Sequence, residues 1–115
     1  MNEAKEILKK LKVENLEYHI FLCADQTEPK CVSKDEGLRS WEYLKKRLSE
    51  LGLVQSGKVF RTKANCLRVC KEGPIMCIYP QGRWFKQCTP EVIEMVIQNY
   101  ILKKNEEELK DYIIY

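Results

Sequence analysis

Six cysteines stand in a chain of 115 residues that has a single histidine, His19. So many sulfurs in so short a chain point to a disulfide framework, a metal site or thiol redox chemistry. The first residues, Met1-Asn2-Glu3-Ala4-Lys5-Glu6, are charged where an export signal would place an apolar stretch. The expectation is therefore a reducing, cytoplasmic setting, where structural disulfides do not persist and metal binding or redox chemistry leads. One histidine excludes a site built from several imidazoles and leaves ligation by cysteine alone.

The length suits one ordinary domain with one hydrophobic core. A content of 44% hydrophobic and 32% charged residues is that of a soluble globular chain rather than a disordered one. No apolar run approaches the roughly 20 residues of a membrane span, so no membrane association is expected. Twenty Lys and Arg against 17 Asp and Glu give a net charge of +3. That is too weakly basic to argue for nucleic acid.

Periodicity places the elements. Ile7, Leu8 and Leu11 predict a short amphipathic helix over residues 3–12, within a lead-in of residues 1–16. Residues 17–23, Glu-Tyr-His-Ile-Phe-Leu-Cys, read as a strand ending at Cys23. Ser33-Lys34-Asp35-Glu36 matches a capping box, so a helix starts there despite Gly37. Its apolar face is Leu38, Trp41, Leu44, Leu48 and Leu51, and Gly52 ends it. Residues 58–62 give a second strand and the apolar run 75–79 a strand buried on both faces. Pro80-Gln81-Gly82 turns the chain into a hairpin partner at 83–86. Thr89-Pro90-Glu91 starts a second main helix with the stripe Val92, Ile93, Val96, Ile97, Tyr100 and Ile101. Residues 103–115 form a charged, then apolar tail, with Leu109, Tyr112 and Ile113 at helical spacing. Strand, helix, strand, hairpin and helix is the minimal thioredoxin-like order: an α/β fold with a mixed four-stranded sheet packed by two main helices.

Four cysteines fall in loops that this order brings to one end of the sheet. Seven residues separate Cys23 from Cys31, and three separate Cys66 from Cys70. The latter spacing is not the two-residue spacing of a dithiol redox motif or of a zinc ribbon. Four thiolates suffice for a [2Fe–2S] cluster, two on each iron. Structural zinc and a bare redox thiol remain as competitors.

The segment Asn65-Cys66-Leu67-Arg68-Val69-Cys70-Lys71-Glu72-Gly73-Pro74-Ile75-Met76, followed by Tyr79-Pro80-Gln81-Gly82 and Trp84-Phe85, resembles the thioredoxin-like [2Fe–2S] ferredoxins. The resemblance covers residues 17–102, the expected ferredoxin domain, and leaves the tail 103–115 outside it. It implies Cys23, Cys31, Cys66 and Cys70 as ligands of a [2Fe–2S] cluster. It further implies a one-electron carrier rather than an enzyme, and a homodimer, for which the apolar tail is a candidate contact. The first loop is short for the family, and a related domain also occurs in larger redox enzymes, so the fold alone does not fix the partner. The alternative is a zinc-stabilised interaction module on the same four cysteines.

The other two cysteines read differently. Cys77 sits in an apolar run and is expected to pack. Cys88 precedes the Thr89 cap and is expected as a partly buried thiol, with an alternate ligand or an oxidation site as the less favoured reading. His19 is expected to be structural. Between Lys58 and Lys86 lie seven basic residues, Lys58, Arg61, Lys63, Arg68, Lys71, Arg83 and Lys86, against the one acid Glu72, so this segment carries +6. Such a patch would favour a reduced anionic centre and steer redox partner proteins with an acidic docking surface.

Overall fold

The computed structural model describes residues 2–24, 33–65, 67 and 72–115. Helix α1 spans Glu3–Lys10, and the Asn2 side chain caps it by accepting from the Lys5 amide at 3.1 Å. It stops two residues short of the expected end, because Lys12 turns into the left-handed region at φ 58° and a 3-10 turn follows over Val13–Asn15. Strand β1 is Tyr18–Cys23, helix α2 Lys34–Glu50, strand β2 Val59–Ala64, strand β3 Met76–Tyr79, strand β4 Arg83–Phe85 and helix α3 Pro90–Val96. The caps read from sequence are in place: Ser33 Oγ accepts from the Glu36 amide, and Thr89 Oγ1 from the Val92 amide.

The strands pair in the order β2-β1-β3-β4. β1 runs parallel to β2 and antiparallel to β3, and β3 antiparallel to β4. The sheet is thus mixed and four-stranded, with the thioredoxin-like arrangement expected. Alternation along β1 sends Tyr18, Ile20 and Leu22 to one face, where they are buried with Leu44 and Leu48 of α2 and Ile93 and Val96 of α3. The whole expected stripe of the last helix is buried. Its second half, Ile97–Leu102, is wound as a π-helix. The two helices are fastened to each other: Glu94 accepts from Arg47 at 2.7 and 3.0 Å, from the Tyr43 hydroxyl at 2.7 Å and from Gln98 at 2.8 Å.

The tail is used within its own chain. It makes a single 3-10 turn at Glu107–Leu109, with Leu109 fully buried. It then extends beside β4, where Ile113 bridges Phe85 and the Ile114 amide donates to the Trp84 carbonyl at 2.8 Å. The helical spacing of Leu109, Tyr112 and Ile113 thus serves a turn followed by an edge-strand partner, because β4 offers unpaired backbone groups that an extended chain satisfies.

The other face of the sheet is aromatic. Register places Phe60, His19 and Tyr79 in one row across it, and Thr62, Phe21, Cys77 and Trp84 in the next. His19 stacks on Phe21 with ring centroids 4.3 Å apart, and its Nε2 meets Thr62 Oγ1 at 2.7 Å. Burial moves its pKa down, so the ring is a neutral packing element at physiological pH, as expected for a structural histidine.

Candidate metal centre

Cys23 closes β1 and is buried. The Ile75 amide donates to its sulfur at 3.1 Å, and its own amide donates to the Ile75 carbonyl at 3.0 Å. One residue on, the Ala24 amide donates to the Ala64 carbonyl at the end of β2. The residues before Ile75 are held from the other side: Gln87 donates to the Glu72 carbonyl at 2.7 Å and Cys88 to the Pro74 carbonyl at 2.9 Å. The 72–75 segment is therefore fixed between Cys23 and the lead into α3.

Helix α2 approaches the same end through Gly37. A Cβ built on Gly37 would lie 2.6 Å from the Ala24 carbonyl oxygen, so no other residue allows this closeness without movement. Gly37 and Ser40, not the half-buried Leu38, face inward at the first turns of α2. A cleft of about 80 Å3 lies between α2, Pro74 and Thr89. The described residues that border the loops, Ala24, Ser33, Asn65 and Glu72, thus gather at one end of the sheet. A larger groove of about 540 Å3, lined by Tyr18, Arg83, Tyr100, Lys104 and Glu106, sits at the opposite end. It belongs to other interactions, since Arg83 and Lys104 already bond Glu106 and Glu17.

Of the four expected ligands, Cys23 lies among the described residues. Cys31, Cys66 and Cys70 lie outside them, as do Arg68 and Lys71. Among the described residues no group of three or more His, Cys, Asp or Glu side chains is arranged for a metal. What is described fits a thiolate ligand. A backbone N–H donated to a sulfur is the contact iron–sulfur ligands commonly receive, and cysteine thiolates are the donors iron–sulfur and zinc centres use. The Ile75 amide was not legible as a functional group beforehand. Its only signal was its place directly after Gly73-Pro74.

Cys77 and Cys88 are free thiols. Cys77 packs on the aromatic face, where burial pushes its pKa up to about 11. Cys88 is wholly buried next to Cys23, and burial together with that neighbour pushes its pKa up, although a backbone hydrogen bond at Met76 acts the other way. Burial thus opposes ionisation of the Cys88 thiol.

The described basic residues of the segment lie at two edges of the sheet. Lys58, Arg61 and Lys63 belong to the β2 edge of the sheet, and Arg83 and Lys86 to the β4 edge. Arg83 is bound by Glu106 at 2.6 and 3.0 Å, and Lys86 by Glu72 at 3.5 Å. Arg61 turns inward over the Trp41 ring.

No protein-family model matches the chain. Its sequence is 28% identical over 93 residues to a 2Fe-2S ferredoxin of Clostridium pasteurianum, an overlap covering 76% of this chain and 87% of that protein. It is 22% identical over 88 residues to a 2Fe-2S ferredoxin of Aquifex aeolicus, covering 72% of this chain and 78% of the other. The fold is similar to the crystal structure of the wild-type thioredoxin-like [2Fe-2S] ferredoxin of Aquifex aeolicus. The TM-score is 0.67 at 19% identity, over 85% of this chain and 96% of that one. A cysteine-to-serine variant of that protein aligns with a TM-score of 0.74 at 16% identity, over 86% and 99% of the two chains.

Proposed function

Starting from this likeness to the thioredoxin-like [2Fe–2S] ferredoxins in both sequence and fold, we propose that the chain is a one-electron carrier. Cys23, Cys31, Cys66 and Cys70 hold its [2Fe–2S] cluster. The observation that carries the reading is the buried Cys23 sulfur accepting the Ile75 amide at the sheet end where the remaining cysteine loops start and finish. When bound there, the cluster supplies one electron at a time between two oxidation states.

The chain's own part is to hold and tune. Cys23 is fixed at the end of a central strand, so its position is set by the sheet ladder rather than by a loop. The Ile75 N–H offsets negative charge on the sulfur, which favours the reduced, more anionic state. The reading is that of a carrier and not of an enzyme, as for the ferredoxins the chain resembles. The free thiols Cys77 and Cys88 suit a reducing compartment, the cytoplasm. No helix among the described residues is long and apolar enough to cross a membrane. Redox partner proteins with an acidic docking surface meet the basic residues near the cysteine loops, Arg68 and Lys71 first. The carrier works as a homodimer.

The test is the visible spectrum of anaerobically purified protein before and after dithionite, with iron and sulfide content. Structured bands that bleach on reduction are expected. A colourless protein that contains zinc, or that fails to take up iron and sulfide on anaerobic reconstitution, overturns the reading.

A further inference from the structure

Cys88 is a buried thiol that the proposed ligand set does not use. It is 0% exposed and sits at the corner where β4 hands the chain to α3. Gln87, just before it, is a non-glycine residue in the left-handed region at φ 53°, and Glu72 across from it is another at φ 59°. Such backbone is sparsely populated and persists where its surroundings over-determine it, commonly beside functional sites. Here it turns two successive amides toward the segment 72–74. That of Gln87 donates to the Glu72 carbonyl at 2.7 Å, and that of Cys88 to the Pro74 carbonyl at 2.9 Å. Lys86 adds an ion pair to the Glu72 side chain at 3.5 Å.

The Cys88 contact reaches beyond Pro74. The Pro74 carbonyl and the Ile75 N–H belong to one peptide unit, and a peptide unit is planar. Its oxygen is taken by the Cys88 amide, and its N–H by the Cys23 sulfur at 3.1 Å. A rigid plane held at both ends transmits the position of one contact to the other, and hydrogen bonds in series polarise one another. Proline has no N–H, so the carbonyl is the one hydrogen-bonding group of the Pro74 backbone. Cys88 holds that group.

The thiol in turn holds Cys88. Its Sγ–H donates to the Lys86 carbonyl at 3.6 Å, closing the corner around the left-handed Gln87, and the Met76 backbone hydrogen-bonds the sulfur from β3. A free cysteine suits the place because it is small and apolar enough for full burial and still carries a weak donor.

We propose that Cys88 is a positioning residue for the Cys23 sulfur: its thiol locks the corner 86–88, its amide fixes the 74–75 peptide, and the N–H of that peptide is thereby kept on the sulfur. A backbone N–H on a ligand sulfur offsets the negative charge that grows on reduction, so the relay raises the potential of the centre. The role rests on the carrier reading, in which Cys23 is a cluster ligand, and it gives Cys88 no bond to iron.

Three variants of the full chain separate the parts of this role. Cys88→Ala empties the site, Cys88→Val fills it without a donor, and Cys88→Ser keeps a donor for the Lys86 carbonyl. Midpoint potentials are read by redox titration, and hydrogen exchange by mass spectrometry on the peptide carrying Ile75. Cys88→Ala and Cys88→Val are expected to keep the wild-type iron content and to shift the potential to more negative values. Their Ile75 amide is expected to exchange at least about tenfold faster. Cys88→Ser is expected to stay close to the wild type in both. Cys77→Ala, which removes a buried thiol within β3, should lower the melting temperature with neither effect.

A potential unmoved in Cys88→Ala and Cys88→Val overturns the proposal. So does a shift that Cys88→Ser shares in full or that Cys77→Ala reproduces, and so does iron lost from the folded Cys88→Val protein. Where Cys88→Ala does not fold, Cys88→Val and Cys88→Ser decide. The wild type is read first: a protein that takes up no iron and sulfide overturns the carrier reading and the tuning with it. A wild type that holds the cluster, with an unmoved potential in the variants, overturns the tuning alone.

Discussion

The Cys23 sulfur and the Ile75 backbone face each other in a reciprocal pair, the Ile75 amide giving to the sulfur at 3.1 Å and its carbonyl taking from the Cys23 amide at 3.0 Å. The pair welds the end of a central strand to the segment that follows the Cys66 and Cys70 loop. As a ligand of the proposed cluster, a sulfur held this way would have little freedom to move when the charge of the cluster changes. Small reorganisation is what a one-electron carrier requires.

Cys23→Ser is expected to lower iron content and shift the visible spectrum, because an oxygen replaces the sulfur that accepts the Ile75 amide and is proposed as a cluster ligand. Cys77→Ser, within β3 on the aromatic face, should leave the spectrum intact and cost about 1 kcal/mol of stability for a buried hydroxyl. Iron analysis and absorbance of both variants decide. A normal spectrum in Cys23→Ser removes it from the ligand set.

Gly37→Ala should destabilise the fold by about 1–3 kcal/mol, the usual cost of forcing a methyl into a filled contact. The clash is with the Ala24 backbone, which has no rotamer to yield. Urea unfolding measures the loss, and the visible spectrum shows whether separating α2 from β1 also disturbs the centre.

Acid should loosen the contact between α2 and α3. Arg47, with help from Tyr43 and Gln98, holds the Glu94 carboxyl down to a pKa of about 2 against an ordinary 4.5. A depressed carboxylate pKa contributes stability that is present above the ordinary value and lost as pH falls from there through about 2. The effect is modest because both side chains are partly solvated, 24% and 28% exposed. Urea midpoints of the wild type should fall between pH 5 and 2 more steeply than those of Glu94→Gln. Parallel curves would show that the ion pair contributes nothing.

Leu109→Ala should cost about 2–5 kcal/mol, the range for emptying a buried leucine site. A tail that merely hung from the domain would tolerate the change. Thermal or urea unfolding settles which description applies.

Charge reversal at Arg68 or Lys71 should slow reduction by an acidic redox protein several-fold and flatten its salt dependence. Arg83→Gln should leave the rate nearly unchanged, since Glu106 already neutralises that guanidinium. Stopped-flow rates across a salt series compare them, and equal rates in all variants would reduce the patch to a solvated surface.

The sequence by itself determined the elements. Local signals lie within a few residues of one another: the Ser33 and Thr89 caps, the alternation in β1, the stripe from Val92 to Ile101. Each needs only its own segment to be read, and the structure follows them closely. The cysteine spacing and the Gly-Pro after it likewise carried the resemblance to the thioredoxin-like [2Fe–2S] ferredoxins, which the sequence and fold comparisons share.

Only the tertiary structure decided what those elements meet. Lys58, Arg61, Lys63, Arg83 and Lys86 belong to one basic stretch of sequence, yet pairing sends β2 and β4 to opposite edges of the sheet and lets the distant Glu106 neutralise Arg83. The apolar tail looked available for a partner, but Leu109 and Ile113 found their places on β4 and the core of the same chain. Gly37 read as a flaw in a helix until Ala24 was seen against it. Partners such as these are separated by tens of residues along the chain, and which ones meet is set by strand order and packing, quantities that no local pattern encodes.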